Sequence, residues 1–462
     1  MKTVRQEDRI LSSFIRYVII SSLIVFVVST SPLYSETIVG GSVSSEYYLE
    51  STETSFSQSI SVSGDLLVSS YSDMITFSAN VHVNEQMLVD DSGFEHAHIT
   101  PELLLESLSL SSFSLEFYPL NQLTISIGKF PSRYGQSEII NPLLVFSQID
   151  YAALLKGDLE DSQLFPFLLK TSLYSESLSL DLLIAPYIPE YSSFPVNSPW
   201  FPMKDFPEQL DMGGAGLKDL DGISYQDEVF IDGKENPFSL QLGLSGVSGS
   251  SDYSLFGFYG WNSDYPLTTI LSFDTDTYSV ALKPNYQKVF SLGAAFSSSY
   301  DRVRLFSDVL YTPHKLFSSN WFTFHSPYSV VTLQQKLIAA DSIAYTLGGS
   351  IDIPEWYSFI QIEYYDLYIM DQEAKNIPEQ RFSQLFSTIV RFTEPKGVVS
   401  ANLLSLYSVA DASSALFIAL QAEFSQEFVC EVTVPFFFGE TSSDFGQYKD
   451  HCVLTFSCRL NF

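Results

Sequence analysis

The sequence predicts an all-β protein in which one antiparallel sheet, of about sixteen to eighteen strands, closes into a single barrel. Three observations predict it: a composition rich in strand formers, a two-residue alternation that recurs along the chain, and connections that are tight and long by turns.

The composition comes first. Of 462 residues, 45% are apolar, 15% aromatic and only 17% charged. Soluble domains usually carry about a quarter charged residues. Ser and Tyr fill the difference, and Tyr, Phe, Thr and Val favour strands over helices. The length suits one large β domain or two to three ordinary ones. A net charge of −31 argues against nucleic acid as a partner, because phosphate binding needs a basic face. It suits hydrated loops, or a vestibule that favours cations.

Residues 1–35 are expected to be a cleaved export segment. Lys2, Arg5, Arg9 and Arg16 make a basic start, Tyr17 to Val28 form a twelve-residue apolar core, and a small polar region leads to a cut after Ser35. That is the layout of a secretory signal peptide. A spanning helix needs about 20 apolar residues, so this core is too short for one. Residues 36–462 are then the barrel. They contain no run of 18 apolar residues, so in a membrane only a closed barrel is open to them.

The alternation supplies the strands. Leu123, Ile125 and Ile127 take every second place, as do Leu178, Leu180, Leu182 and Ile184, and Phe290, Leu292, Ala294 and Phe296. Ile360, Ile362 and Tyr364 flank Gln361 and Glu363; Leu416 to Phe424 flank Gln421 and Glu423; Phe428 to Val434 flank Glu431; Leu454 to Phe462 flank Arg459. Period two means strands with one apolar face. Strands near ten residues long exceed the usual five or six of soluble sheets. In a membrane barrel the apolar face meets lipid and the polar face lines the lumen. Parity therefore nominates Asp181, Gln361, Glu363, Gln421, Glu423, Glu431 and Arg459 as lumen-lining residues.

Every second connection is tight: near 69–73, 119–121, 175–177, 249–252, 299–301, 354–357, 394–397 and 425–427. Those between are mostly long, near 84–103, 131–164, 187–236, 262–282, 313–342, 369–380 and 438–448, with 51–56 and 409–412 short. Short turns at one rim and long loops at the other are the asymmetry of outer-membrane barrels.

The stretch LEFYPLNQLTISIGKFPSRYGQSEIINP places two strands about a tight turn, then Gly128-Lys129, Tyr134-Gly135 and Asn141-Pro142. It resembles the large porin-like barrels of Gram-negative outer membranes, in which Gly-Arg/Lys leads to Trp-Gly and then Asn-Pro; Tyr134 stands here in place of the usual Trp. LSLDLLIAPYIPEYSSFPVNSPW is similar to the family's strand that runs into a proline- and aromatic-rich outer segment. The final VLTFSCRLNF resembles the family's closing strand, which implies that Phe456, Leu460 and Phe462 form the signal read by the barrel assembly machinery. The resemblance implies an outer-membrane location in contact with lipid, and passive diffusion of small hydrophilic solutes. Homo-oligomerisation is left open.

The 187–236 connector crowds prolines with Tyr191, Phe194, Trp200, Phe201 and Phe206. Proline stiffens such a loop, and a structureless loop of about 50 residues is rare unless functional. It is expected to narrow the barrel mouth, or else to pack over the rim. In the 131–164 connector, Ile139-Ile140 and Leu143 to Phe146 need apolar cover, which the proline loop is expected to give.

Cys430, Cys452 and Cys458 are expected to be small apolar fillers. Cys452 and Cys458 lie about 20 Å apart along one strand and cannot pair with each other; a cross-strand bond from Cys430 stays open. His96 and His98 have a metal-compatible spacing, but a hydrated loop is expected there. The sequence has no G-x-S-x-G, H-E-x-x-H or phosphate loop, so no catalytic role, metal or cofactor is expected. The acidic majority of the lumen candidates predicts mild cation preference. The rivals are a transporter of hydrophobic or aromatic compounds, a surface adhesin or structural barrel with a plugged lumen, and a secreted β-sandwich.

Overall fold

A computed structural model describes residues 36–51, 56–71, 75–89, 108–130, 132, 134–149, 163–164, 166–185, 220–225, 238–263, 266–273, 278–325, 331–370, 377, 384–450 and 452–461. The proposed export segment, the five aromatic residues nominated in the 187–236 connector, Phe462, and the His96–His98 pair lie outside the described residues.

The strands of the first half are β1 (Glu36–Ser51), β2 (Phe56–Tyr71), β3 (Ile75–Val89), β4 (Leu108–Leu120), β5 (Leu123–Lys129), β6 (Gln148–Ile149), β7 (Gln163–Leu164), β8 (Phe167–Tyr174), β9 (Leu178–Ala185), β10 (Leu220–Tyr225), β11 (Ser239–Ser248) and β12 (Ser251–Trp261). The second half adds β13 (Leu267–Phe273), β14 (Tyr278–Pro284), β15 (Lys288–Tyr300), β16 (Val303–His325), β17 (Val331–Ile353), β18 (Ser358–Met370), β19 (Leu385–Thr393), β20 (Val399–Ser408), β21 (Ser413–Glu423), β22 (Phe428–Phe438) and β23 (Cys452–Asn461).

Antiparallel pairing runs from β1 through β5, then β8, β9, β11, β12 and β15 to β23. β23 then pairs β1, from Ser42 opposite Asn461 to Ser51 opposite Cys452. Eighteen strands thus form a ring without an edge, which is the way a barrel satisfies its backbone groups.

The tight turns gather at one rim. Between β15 and β16 only Asp301 and Arg302 intervene, and Asp301 takes φ 53°, the left-handed region that two-residue hairpins require. Across the turns, Arg302 pairs with Glu355 at 2.6 Å and holds its exposed carboxyl below the usual carboxylate range.

At the long-loop rim two connections differ from expectation. The 313–342 segment is not a loop: β16 and β17 continue it as a ladder to His325 opposite Thr332. Its aromatic and β-branched residues favour that extension. The 262–282 connector holds β13 and β14, which join β10 to the tip of β17 as a small annex.

The polarity of the barrel is reversed. Outward-pointing Leu305, Leu242 and Ile362 are 62%, 53% and 53% exposed, whereas inward-pointing Asp308, Gln241 and Glu363 are 0%, 1% and 2% exposed.

The cysteines also differ from expectation. Cys430 of β22 and Cys458 of β23 stand opposite each other and form a disulfide, with Cα atoms 4.2 Å apart. Strand register brings them together, within the reach a disulfide needs. They are a covalent tie on the outer face, not fillers.

Candidate functional site

The site is a loop held inside the barrel. Residues 134–147 leave β5 and pack against inward-pointing side chains of strands far apart around the ring.

Tyr134 enters first. Its ring lies 5.3 Å from that of Phe256, and its hydroxyl donates to Asp181 Oδ2 at 2.9 Å. Burial, then the neighbouring Asp181 charge, pushes the phenol far above its ordinary range, so it stays a neutral donor. Gly243 makes the room: a Cβ there would lie 2.4 Å from the Tyr134 hydroxyl oxygen.

The backbone then turns over two carboxylates. Gly135 takes φ +96°, and a Cβ there would meet Asn141 at 2.7 Å and Asp308 at 2.8 Å, so glycine is required on both counts. Asp308 of β16 accepts the Gln136 N–H at 2.8 and 3.0 Å and the Ser137 N–H at 2.9 Å. Glu363 of β18 accepts the Ser137 hydroxyl and the Glu138 N–H, both at 2.8 Å, with support from Gln361 at 2.7 Å and Ser387 at 3.3 Å. Arg391 of β19 pairs with Glu138 at 2.6 Å, and Thr346 of β17 donates to the Ile140 carbonyl at 2.8 Å.

Asn141 staples the loop to itself, donating to the Tyr134 carbonyl at 2.8 Å and accepting the Leu143 N–H at 2.9 Å. Leu143 and Phe146 bury against Leu168, Leu183 and Phe258 of the wall, the Phe146 and Phe258 rings meeting edge-on at 5.2 Å. Ile139 joins a second interior cluster that includes Ile389, Leu404 and Phe417. Among the described residues the barrel wall covers these apolar patches, and the part of the proline loop expected to cover them lies outside the described residues.

The seven lumen candidates divide into two groups. Asp181, Gln361 and Glu363 are buried and belong to the loop's anchorage. Gln421, Glu423, Glu431 and Arg459 lie on the inward face toward the short-turn rim, where Gln421 stands opposite Glu431 and Val429 opposite Arg459. Among the described residues, no hydrogen bond or ion pair joins the two groups. Phe456 and Leu460 point outward on β23.

Asp308, Arg391 and Lys170, which sits 3.5 Å from Asp181, were not nominated by the sequence. Parity places all three inward. Asp308 was hidden because its neighbours break the pattern: Phe306 points in and Ser307 points out. Among the described residues, no group of three His, Cys, Asp or Glu is placed to hold a metal ion.

No protein-family model matches the sequence, and no curated protein matches it. Among solved structures the chain is similar to OccK8 (OprE) of Pseudomonas aeruginosa, with TM-score 0.47, 8% identity, and 93% of this chain and 98% of that chain covered. It is also similar to a mutant porin of Rh. blastica, with TM-score 0.39, 11% identity, and 92% and 100% covered. A loop-deletion mutant of OmpT, an outer membrane protein of Vibrio cholerae, gives TM-score 0.39, 9% identity, and 92% and 99% covered. At these scores and identities the likenesses carry no argument about what the chain does.

Proposed function

We propose that this chain is an outer-membrane channel through which small hydrophilic solutes diffuse, and that the 134–147 loop narrows its bore. The observation that carries the reading is the reversed polarity of a closed eighteen-strand ring with an anchored loop inside it. Barrels of this size enclose an aqueous channel.

The outer face supports membrane insertion. Exposed Tyr300, Trp356, Tyr357, Phe392 and Phe424 ring the short-turn rim, and Tyr259, Tyr368, Phe386 and Tyr407 lie toward the other. Between them Leu244, Leu255, Leu347 and Ile362 are exposed. Aromatic girdles about an aliphatic band are how a barrel meets two membrane interfaces.

Residues 1–35 direct export and are removed, and the short-turn rim faces the periplasm. The last strand, with Phe456 and Leu460 outward, is what an assembly machinery reads. Glu423 and Glu431 outnumber Arg459 on their part of the lumen wall, which favours cations. The chain has no catalytic role in this reading.

Liposome swelling with sugars of increasing size tests the proposal. Size-limited swelling is expected, and no swelling with any sugar refutes it. A barrel with a closed lumen is the second reading, favoured by the apolar clusters about Leu143, Phe146 and Phe417 inside the bore.

A further inference from the structure

We propose that the wall beneath the anchored loop holds a binding site for a small organic cation bearing N–H donors, of the alkylguanidinium or alkylammonium class; the proposal rests on the reading of the barrel as a solute channel. A cleft of about 410 Å³ lies between the start of the loop and the inner wall near the short-turn rim. Clefts of this size hold small ligands. Tyr134, Tyr174, Asp181, Ser245, Asp252 and Ser254 line it.

Two buried polar atoms of this wall have no hydrogen-bond partner among the described residues. Asp181 Oδ2 accepts the Tyr134 hydroxyl and lies 3.5 Å from Lys170, but Asp181 Oδ1 is unbonded. Ser254 Oγ is unbonded as well. Asp181 and Ser254 are 7% exposed each, so neither atom is served by bulk water. An unserved buried polar atom costs about 1–3 kcal/mol, so two on one cleft wall point to a ligand that carries donors.

Register sets the spacing. Asp181 stands opposite Gly243, and Ser245 stands opposite both Ser179 and Ser254. The two orphan atoms therefore belong to strands on either side of β11, two strand spacings across and two residues apart along it, roughly 12 Å between their backbones. The Tyr134 ring packs over Gly243 between them, and Ser179 and Ser245 satisfy each other at 2.7 Å.

The chemistry selects the sign. An ionised carboxylate only accepts, and a hydroxyl accepts as readily as it donates, so the missing group is a donor. Glu176, Asp181 and Asp252 give the lining three carboxylates and no lysine or arginine among the described residues that line it. A planar guanidinium offers several N–H donors to such a wall.

Refolded full-length protein in detergent micelles is titrated calorimetrically with propylguanidinium chloride, and with propylurea as its neutral match. One saturable site per chain is expected for propylguanidinium and none for propylurea. Ser254→Ala and Asp181→Asn are each expected to weaken binding by about tenfold or more, the worth of a hydrogen bond to a charged group. No saturable binding, equal binding of propylurea, or binding unchanged in both variants overturns the proposal. So does calcium binding that the substitutions weaken while propylguanidinium fails to bind. Heat-modifiable gel mobility checks each fold, and Asp252→Asn replaces a variant that fails it. Ion conductance of the same preparation separates the two readings: binding without conductance refutes the channel and leaves the site, and conductance without binding does the reverse.

Discussion

Replacing Asp308 and Glu363 with alanine is expected to release the interior loop while leaving the barrel closed. Asp308 receives two loop N–H donors, and Glu363 receives one N–H and one hydroxyl. A hydrogen bond to a charged group contributes about 1.5–3 kcal/mol, so each carboxylate holds the loop by about 3–6 kcal/mol. Burial of Leu143 and Phe146 contributes about 1.5–3 kcal/mol each. Asp308→Ala alone then leaves Glu363 and the apolar anchors in place, and raises the undocked population by about a hundredfold or more. The double variant removes about twice as much, leaving the apolar anchors and the Tyr134–Asp181 and Arg391–Glu138 contacts to hold the loop, so the undocked population rises further. The ladders of β16 and β18 use backbone groups, so the ring persists. A glutamate-specific protease reads the result, because Glu138 lies in the loop and cleavage tracks the open population when opening is fast. Cleavage after Glu138 is expected to accelerate about a hundredfold in Asp308→Ala and further in the double variant. Unchanged cleavage in a double variant that keeps its heat-modifiable mobility refutes the anchorage.

Three further outcomes follow from the same structure. Gly243→Ala is expected to displace the Tyr134 hydroxyl, break its bond to Asp181 and cost about 1–3 kcal/mol, seen as a lower thermal midpoint by circular dichroism; an unchanged midpoint contradicts the close approach. Cys430→Ser is expected to lower stability by about 3–4 kcal/mol on the chain-entropy estimate for a 28-residue separation, read as a lower temperature for the gel-mobility shift, and reducing agent should reproduce it. Trp356 is 68% exposed at the short-turn rim, so lipids brominated near the headgroup are expected to quench its fluorescence, and Trp356→Phe to remove that quenched component.

Much of the fold was legible because its signals are local. Period two gave strand polarity, and a one-residue slip would turn every side chain to the wrong face, so parity placed Asp181, Gln361 and Glu363 inward. What those acids do was not legible. Ser137 lies 226 residues from Glu363 and 171 from Asp308, and most of the bonds use backbone N–H groups, which leave no mark on residue identity. Tyr134-Gly135 and Asn141 were visible as a motif, but the reason for each became physical only against Gly243 and Asp308. The Cys430–Cys458 pair needed the register of β22 against β23, which spacing along one strand cannot supply. The long β16–β17 hairpin reads as a loop in sequence because its bulges, near Thr312 to Lys315 and Ser318 to Phe322, interrupt the alternation.

The most direct test of the account is single-channel recording of the refolded protein in a planar bilayer under a potassium chloride gradient. Discrete conductance steps with a reversal potential on the cation-selective side are what the closed ring, polar interior and narrowed bore predict. A silent bilayer from protein with intact heat-modifiable mobility would contradict an open bore, and an anion-selective reversal potential would contradict the acidic lining.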